Sequence, residues 1–261
     1  MEILKPVLLL LGLSAVFAAM LAYFAKKLQI DADPRIGMVR ELLSGANCGG
    51  CGEAGCDAFA AALVEGKVKI SECPSTPAAN KDKIAEILGT TNDGEETVVK
   101  VFCSGGNACK DKYEYQGYGN CKSMELLASG RKACNVGCMG MGSCVDACHF
   151  HAVEVNLSGY AETNQTKCVN CGACIAACPK NLIGRIPKSA KIMVACSNRN
   201  KGREVSSVCK AGCIACGLCV KTCKYGAITM ENNLPKIDYS KCTGCLECVG
   251  KCPTKVIKIL K

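Results

Sequence analysis

The sequence contains no tryptophan, only two histidines and 5% aromatic residues among its 261 positions. A chain so poor in large rings has little with which to fill a broad apolar core, so something else must close its domains. It has no glycine fingerprint following a strand to cradle a nucleotide phosphate and no Ser/His/Asp constellation, which removes the common classes of substrate chemistry. What it has in abundance is cysteine, 25 in all. Their clustered C-x2-C spacing suits metal ligation better than the scattered framework of a disulfide scaffold. The formal charge of +9 looks basic. Four-thiolate metal centres carry negative charge, however, and several of them would cancel most of it, so a nucleic-acid partner does not follow from net charge.

Residues 7–25 form an uncharged apolar run holding one Ser and one Gly, with Lys5 before it and Lys26 and Lys27 after it. About 20 such residues span a bilayer as a helix. No small-x-small cleavage site ends the run, so a retained anchor is expected over residues 1–27 rather than a cleaved signal. Lysine balance alone leaves its orientation nearly even.

Cys242, Cys245, Cys248 and Cys252, followed by Pro253, make a C-x2-C-x2-C-x3-C-P run. Bacterial ferredoxins hold [4Fe-4S] clusters with this spacing, three thiolates serving one cluster and the fourth crossing to its neighbour. A partner run lies upstream at Cys213, Cys216, Cys219 and Cys223. The same arrangement occurs earlier in the chain. Cys103 matches Cys196, Cys134 matches Cys209, Cys138 matches Cys213, Cys144 matches Cys219 and Cys148 matches Cys223, and the second run of that half is Cys168, Cys171, Cys174 and Cys178. Apolar strands at 98–102 and 192–195 lead into Cys103 and Cys196. The reading is α+β, with two tandem dicluster ferredoxin-like (βαββαβ) modules at 97–190 and 191–261.

Met141 stands where Cys216 does, and a thioether is a poor ligand for a cluster iron. Cys134, one helical turn before Cys138, is expected to replace it. The crossing rule then assigns Cys134, Cys138, Cys144 and Cys178 to one cluster, and Cys148, Cys168, Cys171 and Cys174 to another. In the second module it gives Cys213, Cys216, Cys219 and Cys252, then Cys223, Cys242, Cys245 and Cys248.

Residues 28–90 form a separate, small helical domain. Ile36, Val39, Leu42 and Leu43 recur at helical spacing, a short helix follows Cys56, and another closes the domain at 84–88. Cys48, Cys51, Cys56 and Cys73 lie among glycines at 45, 49, 50, 52 and 55, which let the backbone approach a cluster closely. A structural zinc site is the competing use of four thiolates, but the glycine density and the ferredoxin runs favour iron–sulfur. A polar linker at 89–96 marks the boundary.

That accounts for five [4Fe-4S] clusters. Cys103, Cys109, Cys121, Cys196 and Cys209 remain, either for a sixth cluster or a redox pair, or as buried free thiols; the last is preferred because none of the five forms a C-x2-C pair. His149 and His151 read as turn and surface residues. Tyr113, Tyr115 and Tyr118 could stack on a ring, although such a group more often fills a small core.

The membrane run, the Asn47–Cys56 loop with Cys73, and the C-terminal ferredoxin runs together resemble the B subunits of the Rnf complex, the ion-translocating ferredoxin:NAD oxidoreductase. The match covers nearly the whole chain, and the first module resembles the extra module of the family's longer forms. The resemblance implies an electron-entry subunit of a membrane-bound oxidoreductase, with no substrate site of its own. Its partners would be soluble ferredoxin and further membrane and flavin-bearing subunits, with Na+ or H+ transport coupled to NAD reduction and the cluster domains on the cytoplasmic side of the cell membrane. The readings it competes with are a polyferredoxin subunit of another membrane enzyme and a membrane-anchored zinc-thiolate scaffold.

Overall fold

The computed structural model describes residues 4–27, 33–92 and 94–260, the side chains at 4–6, 8 and 25–27 apart. The first helix, α1 (Leu4–Lys27), has 24 residues, about 36 Å at 1.5 Å per residue. Its described apolar side chains, among them Leu9, Leu13, Phe17, Leu21 and Phe24, are all exposed. Taken over the described residues, no helix is long and apolar enough to cross a membrane.

A small helical domain follows, made of α2 (Pro34–Leu42), α3 (Cys56–Val64), a 3-10 turn at Ile70–Glu72, and α4 (Ala78–Leu88). Pro34 opens α2, and the Asp33 carboxylate accepts the Arg35 N–H at 2.9 Å, supplying a partner that the helix cannot provide for its own first turn. In α3, Phe59, Ala60 and Leu63 share the inward face and pack with Val39, Ile70 and Ile84. Phe59 is 1% exposed, and truncating such a ring to Ala costs about 3–5 kcal/mol. Cys56 and Cys73 belong to this same core.

Two β-α-β-β-α-β units complete the chain. The first contains β1 (Thr97–Val101), α5 (Cys121–Leu126), α6 (Ser143–Asp146), β2 (Val153–Val155), β3 (Ala161–Thr163), α7 (Ala173–Ala177) and β4 (Ile183–Pro187). The second contains β5 (Ile192–Val194), α8 (Gly202–Val208), α9 (Leu218–Thr222), β6 (Ile228–Glu231), β7 (Leu234–Ile237), α10 (Glu247–Lys251) and β8 (Ile257–Ile259). In each, the first strand pairs antiparallel with the last and the middle two form a hairpin. The helices α5 and α8 are insertions between the first strand and the first run of cysteines.

The units meet along a seam. Ser104 N–H donates to the Ala195 carbonyl at 3.0 Å, Ser197 Oγ to that of Phe102 at 2.9 Å, and Cys109 and Cys209 form an antiparallel bridge. The stretch read as a linker is likewise fastened down. Glu96 Oε1 accepts the Ala78 N–H at 3.0 Å, at the start of α4, and its Oε2 pairs with Lys188 Nζ at 2.8 Å, just past β4. Lys188 and the Ala78 amide hold the Glu96 carboxyl below the usual carboxylate range. Gly50 fixes the small domain against the first unit, since a Cβ there would lie 2.5 Å from the Cys171 carbonyl oxygen.

Candidate iron-sulfur sites

In the small domain Asn47 Oδ1 accepts the Cys56 N–H at 2.8 Å and bends the loop so that Cys48 and Cys51 face the core cysteines, Cys56 and Cys73. Cys48 Sγ shares a hydrogen bond with Ser75 Oγ at 3.4 Å, and Cys73 Sγ shares one with Thr76 Oγ1 at 3.2 Å. Burial pushes the Cys51 thiol upward, and the neighbouring Cys73 and Cys48 thiols add to the effect.

The βαββαβ units place their cysteines by a common device. Each of α6, α7, α9 and α10 starts after a residue with left-handed backbone: Gly142, Gly172, Gly217 and, in the last case, Leu246. This turn sends the third cysteine of the run inward, so Cys144, Cys174, Cys219 and Cys248 are 5–8% exposed. Burial drives their thiols up, to about 12 at Cys144 and about 11 at Cys174 and Cys219, and neighbouring thiols push in the same direction. Such groups keep their protons until a cation displaces them.

Cys148, Cys168, Cys171 and Cys174 come together. Cys213, Cys216, Cys219 and Cys252 line one small cavity, and Cys223, Cys242, Cys245 and Cys248 another. The fourth cysteine of each run thus sits with the other run of its unit, in the crossed pattern expected from the spacing.

The remaining set differs from expectation. Cys138, Cys144 and Cys178 are joined by Cys121, not by Cys134. These four line a small cavity with Met141 on its wall. Cys121 heads α5, whose N-cap Asn120 accepts the Ser123 N–H at 2.8 Å, and its own N–H donates to Ser143 Oγ at 2.8 Å. Residues 134–137 form a turn rather than a helix, closed by the Gly137 N–H on the Cys134 carbonyl at 2.9 Å. The turn aims Cys134 away from Cys138. Its thiol packs with Cys109 and Cys209 and accepts the Asn198 amide at 3.2 Å. Hydrogen bonding with Cys109 and then burial drive that thiol strongly upward.

His149 and His151 are exposed, and His151 has a left-handed φ of 49° in its turn, as expected. Tyr113, Tyr115 and Tyr118 build no core: Tyr118 is 81% exposed and Tyr113 Oη donates to the Leu127 carbonyl at 2.6 Å.

The donor sets fit a polynuclear group better than a lone ion. Zinc, with Zn–S bonds of about 2.3 Å, would draw its four sulfurs into mutual contact, whereas these thiols ring open volumes. Backbone amides also point at sulfur: Ala152 N–H at Cys148 Sγ (3.3 Å), Asn170 N–H at Cys168 Sγ (3.4 Å) and Leu182 N–H at Cys178 Sγ (3.5 Å). Such bonds favour the thiolate and tune a bound cluster.

Comparison with known proteins agrees with this chemistry. Residues 43–75 match an Fe-S cluster family, residues 161–183 the 4Fe-4S binding domain and residues 212–256 the 4Fe-4S dicluster domain. Over nearly its whole length the chain is similar to three relatives, each the B subunit of its complex. That of the Na(+)-translocating ferredoxin:NAD(+) oxidoreductase complex of Acetobacterium woodii is 41% identical over 98% of this chain and 77% of its own length. That of the ion-translocating oxidoreductase complex of Methanosarcina acetivorans is 40% identical over 98% of both chains. That of the proton-translocating ferredoxin:NAD(+) oxidoreductase complex of Clostridium ljungdahlii is 38% identical over 97% of this chain and 90% of its own.

Proposed function

Because the chain belongs to the B subunits of the Rnf complex, the ion-translocating oxidoreductases, we propose that its cysteine quartets form an electron route from a soluble carrier to the membrane part of the complex. It is an electron-transfer subunit and acts as part of a ferredoxin:NAD oxidoreductase. When bound, [4Fe-4S] clusters supply one-electron carriers; the residues hold them, shield them from water and set their spacing.

Five quartets carry this reading: Cys48, Cys51, Cys56 and Cys73; Cys121, Cys138, Cys144 and Cys178; Cys148, Cys168, Cys171 and Cys174; Cys213, Cys216, Cys219 and Cys252; Cys223, Cys242, Cys245 and Cys248. The last four lie in two tandem dicluster ferredoxin-like modules. Entry at the second module is supported by Cys216 and Cys245, the two exposed cysteines. The same module carries exposed Lys221, Lys241, Lys251 and Lys255, which would draw in an acidic carrier such as ferredoxin. At the other end, the Gly50 contact with Cys171 brings the small domain's quartet against the first module. Although the described part of α1 falls short of a membrane-crossing helix, its unburied apolar side chains support a reading in which it fastens the chain to the membrane, with the cysteine-bearing domains on the cytoplasmic side beside flavin-bearing partner subunits. Relatives of nearly equal identity are named for Na(+) and for protons, which argues that ion choice resides in other subunits.

The observation that carries the proposal is this succession of quartets from the module with the exposed Cys216 and Cys245 to the small domain. Anaerobic purification from membranes, with iron, sulfide and zinc quantified, tests it together with rapid mixing against reduced ferredoxin. Bleaching of the cluster absorbance is expected. Stoichiometric zinc, or no bleaching by ferredoxin, overturns it. One interval in the route, between the quartets of Cys138 and Cys213, has no quartet assigned to it.

A further inference from the structure

Four of the five cysteines set aside by the spacing argument, Cys103, Cys109, Cys196 and Cys209, are brought together by the fold with Cys134, which left its expected place. They line a small cavity on the seam between the two modules, as three of the quartets line theirs. We propose that Cys103, Cys134, Cys196 and Cys209 hold a sixth iron–sulfur cluster, built half from each module and placed between the quartets of Cys138 and Cys213. The inference rests on reading those quartets as cluster sites.

Symmetry selects the four. Cys103 follows β1 as Cys196 follows β5, and Cys134 precedes Cys138 as Cys209 precedes Cys213. The site is therefore two copies of one pair, whereas Cys109 has no counterpart. Electrostatic neighbour relations are consistent with this: Cys103 lies close enough to feel Cys196, Cys196 to feel Cys134, and Cys209 to feel both Cys103 and Cys134. Cys109 is instead wedged against Cys134 and Cys209, and its Sγ donates to the Lys110 carbonyl at 3.6 Å.

Donors are aimed at the other sulfurs as they are in the quartets. Cys138 N–H points at Cys103 Sγ and Cys213 N–H at Cys196 Sγ, both at 3.4 Å. The side chain of Asn198, 5% exposed, donates to Cys134 Sγ at 3.2 Å. A neutral thiol is a weak acceptor, so buried donors spent on three sulfurs fit anionic, metal-bound ones. The two backbone bonds also tie the site to its neighbours, because each donor is itself a residue of an adjoining quartet. Room is kept by Gly105, where a Cβ would lie 3.2 Å from Cys209 Sγ and 3.7 Å from Cys103 Sγ. A redox dithiol would need two of these thiols and would leave their symmetry mates without a role.

The test is metal content of the full-length chain purified without oxygen. The wild type is expected to carry about 24 irons and as many sulfides, six clusters of four, rather than about 20. Cys209→Ser should lose about four irons and Cys109→Ser none. A wild type with about 20 irons, with or without a disulfide between Cys134 and Cys209, overturns the sixth site and leaves the five quartets standing. Equal loss in both variants overturns the ligand choice. Zinc in place of iron removes the quartets and the sixth site together. If Cys209→Ser does not fold, the wild-type iron and sulfide count still decides.

Discussion

Cys121 reaches the thiols of Cys138, Cys144 and Cys178 because two short bonds, Ser123 N–H to Asn120 and Cys121 N–H to Ser143, fix the start of α5 beside α6. Met141 made a missing ligand legible, but the spacing rule looked for its substitute next door and settled on Cys134. The replacement came from Cys121, a cysteine with no counterpart in the second module's insertion; the signal was Asn120, an N-cap residue immediately before a cysteine. Cys121→Ser should therefore lower iron by about four atoms per chain. An unchanged count would return Cys134 to that set. Gly50 is the second residue on which much depends. Gly50→Ala puts a methyl 2.5 Å from a carbonyl oxygen, an overpacking that should cost about 1–3 kcal/mol. Faster amide exchange on both sides of the contact, with iron content retained, is the expected result; unchanged exchange would mean that the small domain and first module do not pack there.

Among elements, the strands and helices of the cysteine-rich units were legible because local spacing dictates them: β1 and β5 fall where apolar runs lead into Cys103 and Cys196, and the four short helices sit inside the runs. The 89–96 stretch was not, because polarity is also what a side-chain clamp needs. Glu96 accepts from the first amide of α4 and pairs with Lys188 beyond β4, so one carboxylate joins three elements. Its folded pKa lies below the ordinary carboxylate value. The clamp is thus fully formed above the unfolded-state pKa and is lost as pH falls through the lower folded-state value. Glu96→Gln reproduces the protonated form at neutral pH. Since the ion pair is partly exposed and screened, about 1 kcal/mol is the expected loss, read as faster exchange confined to α4 and the ends of β1 and β4. Exchange that rises throughout the chain instead would show that Glu96 holds more than this seam.

For the molecule as a whole, removing residues 1–27 should release a brown protein from membranes with its iron count unchanged; if the truncated chain stays bound, α1 is not the main anchor. The sequence made the cysteine runs visible because they are contiguous signals. It could not make the junction visible, since Cys103, Cys134, Cys196 and Cys209 acquire their relation only when two folded units are laid side by side. That relation bears on how the protein matures. Each run's quartet draws on one module and can load as soon as that module has left the ribosome. The junction must wait until both modules have folded and met, the second of them closed by β5 pairing with β8, which makes it the site of highest contact order and the last to close. Cells short of iron or sulfide should therefore accumulate chains that lack this site alone, complete at both ends and interrupted in the middle.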